Sequence, residues 1–203
     1  AGLGTRLKPL TDTMPKAMVP ICGKPLIQIL IEKLKKVGVN EIVINVHHFA
    51  QQIIDFVELN DGFGVNIKFS DETNLLLETG GGLKQAATLF SHDAPILVHN
   101  VDILSNADIL SLYNGASSTV LLVSQRDTQR YLLFDSTSRL VGWTNIATGE
   151  IKSPYPEIKA LEVDYQLSVI NSHFQKYAYS GIQVFHPSLL SLMDGWQGRF
   201  SII

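Results

Sequence analysis

Between residues 24 and 115 the apolar pattern switches repeatedly between two periods, and that alternation leaves few folds open. "KPLIQILIEKLKKVG" places apolar residues at Leu26, Ile27, Leu30, Ile31, Leu34 and Val37, the spacing of one helical face, and Gly38 ends it. "EIVINVHH" reads as a buried strand, "FAQQIIDFVEL" as a helix and "GVNIKFS" as a strand after the "NDGFG" turn. "GGLKQAATLF" predicts a helix entered on glycines. "PILVHNVDIL" predicts the most apolar strand, and "NADILSLYNG" a helix capped by Asn106 and closed by Gly115. Strands and helices alternating at crossover spacing predict a mainly parallel, right-handed α/β sheet flanked by helices.

After Thr119 the character changes to "STVLLVSQ", "RYLLFDS", "RLVGWTN" and "YAYSGIQVF", strands joined by turns, with little helix before "PSLLSLM". This predicts a β-rich extension of the same sheet. The expectation is one domain over 1–203, made of a first half, 1–118, and a second half, 119–203. Residues 149–175 contain "SPYP" and have weak periodicity, and they read as a surface excursion or lid.

At 203 residues, 45% of them hydrophobic, the chain can bury one sizeable core. A net charge of −3 with dispersed basic residues gives no electrostatic footprint for nucleic acid. The one basic run, "EKLKK", reads as a solvated helix face. Cys22 is the single cysteine, so no internal disulfide can form. It reads as a small packing residue and fits a reducing cytoplasm. No apolar run approaches the ~18–20 residues that span a bilayer, so no membrane partner is expected. His47 and His48, adjacent on a strand, would point to opposite faces, which argues against a zinc site.

The chemistry concentrates at the carboxyl ends of the predicted strands, where an open α/β sheet gathers its ligands. Gly2-Leu3-Gly4-Thr5 is a glycine loop whose free N–H groups could form an anion nest, or a tight turn with no ligand. The dinucleotide fingerprint fails because Leu7 stands where its third glycine belongs, and the P-loop fails because Pro25 follows Gly23-Lys24. Arg6 offers a planar fork and Lys16 a compact charge, and Pro9 and Pro15 stiffen the chain between them. Singly each would read as an exposed charge; together with the loop they point to a polyphosphate. Asp102 comes near the end of an apolar strand, where a carboxylate either caps the next helix or serves a cation such as Mg²⁺. "ETGGG", residues 78–82, permits close approach of a flat group such as a nucleobase, or simply starts a helix.

In this order these pieces resemble the sugar-1-phosphate nucleotidyltransferases, the nucleoside-diphosphate-sugar pyrophosphorylases. The resemblance rests on Gly2-Leu3-Gly4-Thr5-Arg6, Pro9-Leu10-Thr11, Pro15-Lys16, the Gly23–Leu26 helix entry, "ETGGGL", Asp102 and "AYSGIQVFHPSLL". Within the family the chain looks most similar to mannose-1-phosphate guanylyltransferases and N-acetylmuramate-1-phosphate uridylyltransferases, through "ETGGG" and Gly142–Glu150. The resemblance implies the nucleotide-diphospho-sugar transferase type of Rossmann-like mixed sheet, with a nucleotide-binding first half and a sugar-binding second half. It implies transfer of a nucleotidyl group from an NTP, UTP or GTP, to a sugar 1-phosphate with release of pyrophosphate, in cell-envelope sugar biosynthesis. By the same resemblance Gly2, Leu3, Gly4 and Thr5 cradle the triphosphate, Arg6 holds pyrophosphate and Lys16 neutralises the α-phosphate. Asp102 ligates Mg²⁺; Glu78, Thr79, Gly80 and Gly81 line the base and ribose; Gly181 backs the sugar. Val101 stands where many relatives carry glycine. The family's strand ahead of the glycine loop, and its second metal-binding Asp in a D-x-G-T-P context, are expected outside residues 1–203, and Asp194 reads as part of a turn.

Three other readings are weighed against this one. A regulatory paralogue would bind nucleotide sugar without turnover, but need not keep Arg6, Lys16 and Asp102 together. A cytidylyltransferase acting on an alcohol phosphate such as phosphocholine would use a similar loop. An NAD-dependent dehydrogenase would need the missing glycine.

Overall fold

In the computed structural model, residues 2, 4–116, 119–162 and 174–202 are described. A short antiparallel pair, β1 (Pro20–Ile21) and β2 (Lys24–Pro25), leads into helix α1 (Leu26–Lys36). The 3.6-residue pattern places Leu26, Ile27, Ile31 and Leu34 on the buried face of α1. Cys22, at the tip of the β1–β2 turn, is exposed with φ +49, so the packing role expected for it is not the one it has. The lysines in the last turn of α1 suit the negative end of its dipole. Two of them also reach neighbouring loops: Lys33 Nζ donates to the Ser105 carbonyl at 2.7 Å and Lys35 Nζ to that of Phe63 at 2.6 Å. The "EKLKK" run is therefore only partly a solvated face, because a four-carbon stem carries its donors across to loop carbonyls.

Strand β3 (Glu41–Val46), helix α2 (Ala50–Leu59) and strand β4 (Asn66–Asp71) form a parallel crossover unit, with β3 and β4 in register from Glu41↔Asn66 to Val46↔Asp71. Val46, Ile53 and Val57 meet Ile27 and Ile31 of α1 in one core. β3 stops at Val46, so His47 and His48 lie in the turn before α2 and not on opposite strand faces.

Helix α3 (Glu78–Ala86) begins three residues earlier than the glycines suggest, which places Gly80, Gly81 and Gly82 inside its first turns, all buried. Strand β5 (Ile96–His99) is short because Asn100–Ile103 forms a turn closed by Ile103 N donating to the Asn100 carbonyl at 3.2 Å. Helix α4 (Ile109–Asn114) is capped by Asp108, whose Oδ1 accepts from Ser111 N at 3.0 Å, and not by Asn106.

The chain divides into two compact units, 1–119 with 184–203, and 120–183. In the second unit β6 (Thr119–Ser124), β7 (Arg130–Phe134), β8 (Leu140–Asn145) and β9 (Glu150–Lys152) precede the short helix α5 (Pro156–Lys159) and the long strand β10 (Gln175–Phe185). β7, β8 and β9 form an antiparallel meander, β10 pairs antiparallel with β7, and β6 also pairs with β10. Leu133, Val141, Ile151 and Ile158 form its core. Part of the stretch read as a surface excursion is thus sheet and core: alternation puts Ile151 inward, 1% exposed. The remainder of that lid reading falls on 163–173, outside the described residues. In the first unit, "PSLLSLM" forms 3₁₀ turns over Pro187–Met193, and Asp194 lies in the turn that follows. Among the described residues no helix is long and apolar enough to cross a membrane.

Candidate functional site

The glycine loop is folded onto the residues that follow it. The Gly4 carbonyl accepts from Leu7 N at 2.9 Å and from Thr11 Oγ1 at 2.9 Å. Gly4 has φ +64, and a Cβ there would sit 2.9 Å from Thr11 Cγ2 and 3.4 Å from Lys16 Cβ. Only glycine allows both that conformation and that closeness. Thr11, 2% exposed, is the clasp that brings the loop to Lys16. Thr5 and Arg6 stand in a 3₁₀ turn, Thr5–Leu7, with Arg6 exposed and without an ion-pair or hydrogen-bond partner among the described residues. Gly2 is exposed, and Leu3 lies outside the described residues.

Lys16 opens the 3₁₀ turn Lys16–Met18 directly after Pro15, whose φ of −69° fixes the entry. Ala17 is buried, and Met18 and Val101 both pack against the core of α1, α2 and β3. The same apolar cluster therefore fixes the backbone beside Lys16 and the turn carrying Asp102. Lys16 Nζ lies 2.9 Å from Asp102 Oδ2, with the side chains 31% and 38% exposed. The two backbones rest on the core, and both side chains are about one third exposed. Val101 thus gains a role that its departure from glycine did not suggest.

His99, near this turn, donates from Nδ1 to the Asn100 carbonyl at 2.8 Å and leaves Nε2 buried without a partner. Burial pushes its pKa below the ordinary value of 6.5 and Lys33 adds to this, against the opposing Asn100 carbonyl and Asp102. Burial thus favours the neutral imidazole over the charged form.

At "ETGGG", Glu78 has φ +62, an uncommon conformation for a side chain larger than glycine. Gly82 packs where Asn45 Nδ2 donates to Glu72 Oε1 at 2.6 Å and to the Gly82 carbonyl at 2.9 Å. Glu72 is 3% exposed, and its Oε2 also accepts from Leu77 N at 3.1 Å. The groups approaching Gly80 and Gly81 in this structure belong to the chain itself: both N–H groups donate to the Phe200 carbonyl, at 3.0 and 3.2 Å. Thr79 and Glu78 keep exposed or half-exposed side chains at the same turn.

Gly4, Lys16 and Asp102 are brought together. Glu78, Thr79, Gly80 and Gly81 form a second group against residues 198–202. Gly181 is buried within β10, in the other unit. Sequence reasoning missed Asn45, Glu72, Arg199 and Phe200. Of these only Glu72 carried a signal, a second carboxylate directly after Asp71 at the end of a strand.

A profile of the nucleotidyl transferase family matches residues 1–131. N-acetylmuramate alpha-1-phosphate uridylyltransferase from Neisseria meningitidis is 43% identical over 118 residues, covering 58% of this chain and 51% of that protein. The protein of the same name from Caulobacter vibrioides is 41% identical over 208 residues, covering 100% of this chain and 78% of its own length. The chain thus spans about half of the first of these relatives and about three quarters of the second. Among solved structures, HddC from Yersinia pseudotuberculosis complexed with GMP-PN superposes with a TM-score of 0.71 at 24% identity, over 98% of this chain and 79% of that one. That likeness shows the fold, an α/β sheet with a β-rich second part. On the profile and the Caulobacter match, which runs over all of residues 1–203, the chain belongs to the nucleotidyl transferase family.

Proposed function

We propose that the protein makes a nucleoside-diphosphate sugar and pyrophosphate from an NTP and a sugar 1-phosphate, with UTP and N-acetylmuramate 1-phosphate as the first pair to test. The single observation that carries this is the Lys16–Asp102 contact at 2.9 Å, held on one core and beside a glycine loop clasped by Thr11. Such a cluster supports a reading in which a cation, a carboxylate and backbone donors meet one polyphosphate. The names of the Neisseria and Caulobacter relatives support the choice of base and sugar.

In this reaction a sugar phosphate oxygen attacks the α-phosphorus in line, and the bond from that phosphorus to the bridging oxygen breaks as pyrophosphate leaves. The attacking oxygen is already anionic, so no protein base is needed, and the protein's task is positioning and charge neutralisation. Lys16 leaves Asp102 for the α-phosphate and the incoming phosphate. Arg6, with its guanidinium exposed, takes the pyrophosphate.

Asp102 is a lone, partly open carboxylate, and among the described residues no three His, Cys, Asp or Glu side chains cluster as a metal cage. That donor set suits Mg²⁺, which takes one or two carboxylates and fills its other positions with water and phosphate oxygen. Bound there, Mg²⁺ would offset charge on the triphosphate. The single free thiol at Cys22 is in keeping with a cytoplasmic setting.

The test is a pyrophosphate-release panel of N-acetylmuramate, N-acetylglucosamine, glucose and mannose 1-phosphates against UTP, GTP, CTP and dTTP with Mg²⁺. Turnover confined to one NTP and sugar phosphate pair is expected. Absence of pyrophosphate from every combination, with nucleotide sugar still bound, would replace the enzyme by a binding protein.

A further inference from the structure

The segment Gly198–Ile202 lies along the first turn of α3. The Phe200 carbonyl accepts from Gly80 N and Gly81 N, and Phe200 N donates to the Leu77 carbonyl at 3.2 Å. Arg199 places Nε 2.8 Å and Nη2 2.6 Å from Glu78 Oε1. Ile202 N donates to Thr79 Oγ1 at 3.1 Å. One turn further on, Lys84 Nζ donates to the carbonyls of Met193 and Trp196 at 2.9 and 2.7 Å, anchoring the approach to the segment.

The glycines are fitted to this segment. A Cβ on Gly80 would lie 2.5 Å from the Phe200 ring, and one on Gly81 would collide with the Gly198 carbonyl. The N–H groups that a helix start leaves open are here directed at a carbonyl of the same chain. The segment also holds the one residue of the turn with a costly backbone: Glu78, at φ +62, is the partner of Arg199. Such a conformation persists where its surroundings over-determine it.

We infer that Arg199 is a positioning residue of the nucleotide site: acting through Glu78, and with the Phe200 carbonyl, it holds the Glu78–Gly81 turn in the shape that receives base and ribose. This rests on the function proposed above. The base then meets the side chains of Glu78 and Thr79 and the outer surface of the turn. The N–H groups of Gly80 and Gly81 are engaged within the chain and do not read it.

The test uses the full chain with Arg199→Ala, Arg199→Lys and Gly198→Ala. Gly198 has φ +66 and open space around its missing Cβ, so alanine there strains the segment without a collision. Two quantities are read: the KM for MgUTP against kcat, and the hydrogen-exchange rates of the Gly80 and Gly81 amides. The Arg199–Glu78 pair is well exposed, so its loss is expected to raise KM by about two- to fivefold with kcat within about twofold. The same factor is expected in the exchange rates, with Gly198→Ala in the same direction and Arg199→Lys recovering part of the loss. Unchanged KM and unchanged exchange in Arg199→Ala would overturn the assignment. A lower KM would overturn it too, because the segment would then compete with nucleotide. If the unaltered protein neither binds nor turns over any NTP, the function proposed above fails. The exchange rates would still decide whether Arg199 holds the turn.

Discussion

Replacing Lys16 by alanine separates a structural role from a chemical one by magnitude. In the ground state Lys16 meets Asp102 at 2.9 Å with both side chains about one third exposed, so solvent screens the pair. Such pairs contribute at most about 1 kcal/mol to stability. For a chain of this length that is a fall in Tm of about 2–4 °C. Ala17 and Val101 hold the two backbones independently of the pair, so the turns are expected to survive. In the transition state of the proposed reaction the same ammonium would face negative charge spread over the transferring phosphoryl group. Losing one preorganised donor there costs about 3–4 kcal/mol, a hundred- to a thousandfold in rate. Urea unfolding and pyrophosphate release at saturating MgUTP, measured on one preparation, give both numbers. The reasoning is refuted if Lys16→Ala keeps turnover within tenfold of the unaltered protein while losing more than about 2 kcal/mol of stability.

Other expectations follow from single contacts. Arg6→Ala should lose about a hundred- to a thousandfold in turnover with an unchanged urea midpoint, since Arg6 makes no ground-state pair among the described residues; a shifted midpoint would give it a structural role. Gly82→Ala would place a Cβ 2.5 Å from Glu72 Oε1 and 2.9 Å from Asn45 Nδ2, and should destabilise by about 1–3 kcal/mol in urea unfolding; a midpoint equal to that of the parent would contradict the packing. For His99 the folded pKa lies below 6.5, so the unfolded chain binds the extra proton first. Its contribution is complete above pH 6.5 and is lost as the pH falls towards the folded pKa. Stability measured from pH 8 to 5 should therefore decline less steeply in His99→Phe, and parallel curves would count against the burial argument.

The local pattern carried much of the fold. α1, the crossover of β3, α2 and β4, and the change of character at Thr119 all follow from periods of 3.6 and 2. Where the pattern misled, tertiary contacts decided. The strand expected through Asp102 ends at His99 because Asn100–Ile103 closes on itself, and α4 is capped by Asp108 because its carboxylate reaches Ser111 N. At the site, Arg6, Lys16 and Asp102 stood out as charges beside glycines or after an apolar strand. Thr11 belongs to the motif Pro9-Leu10-Thr11, but its role as clasp depends on where the Gly4 carbonyl points. The glycines after Glu78 signalled a close approach and left open what approaches. The partner sits more than a hundred residues away, at Gly198–Ile202, and no local period records a contact of that separation.

The first unit is discontinuous, with residues 120–183 placed between its two pieces. During translation, α3 therefore leaves the ribosome with the N–H groups of Gly80 and Gly81 still waiting for the Phe200 carbonyl. The whole intervening β-meander must be synthesised before that acceptor arrives. Ordering of the glycine turn thus waits on residues made after that meander, and a product cut short before Arg199 and Phe200 would present Gly80 and Gly81 without the acceptor that engages them.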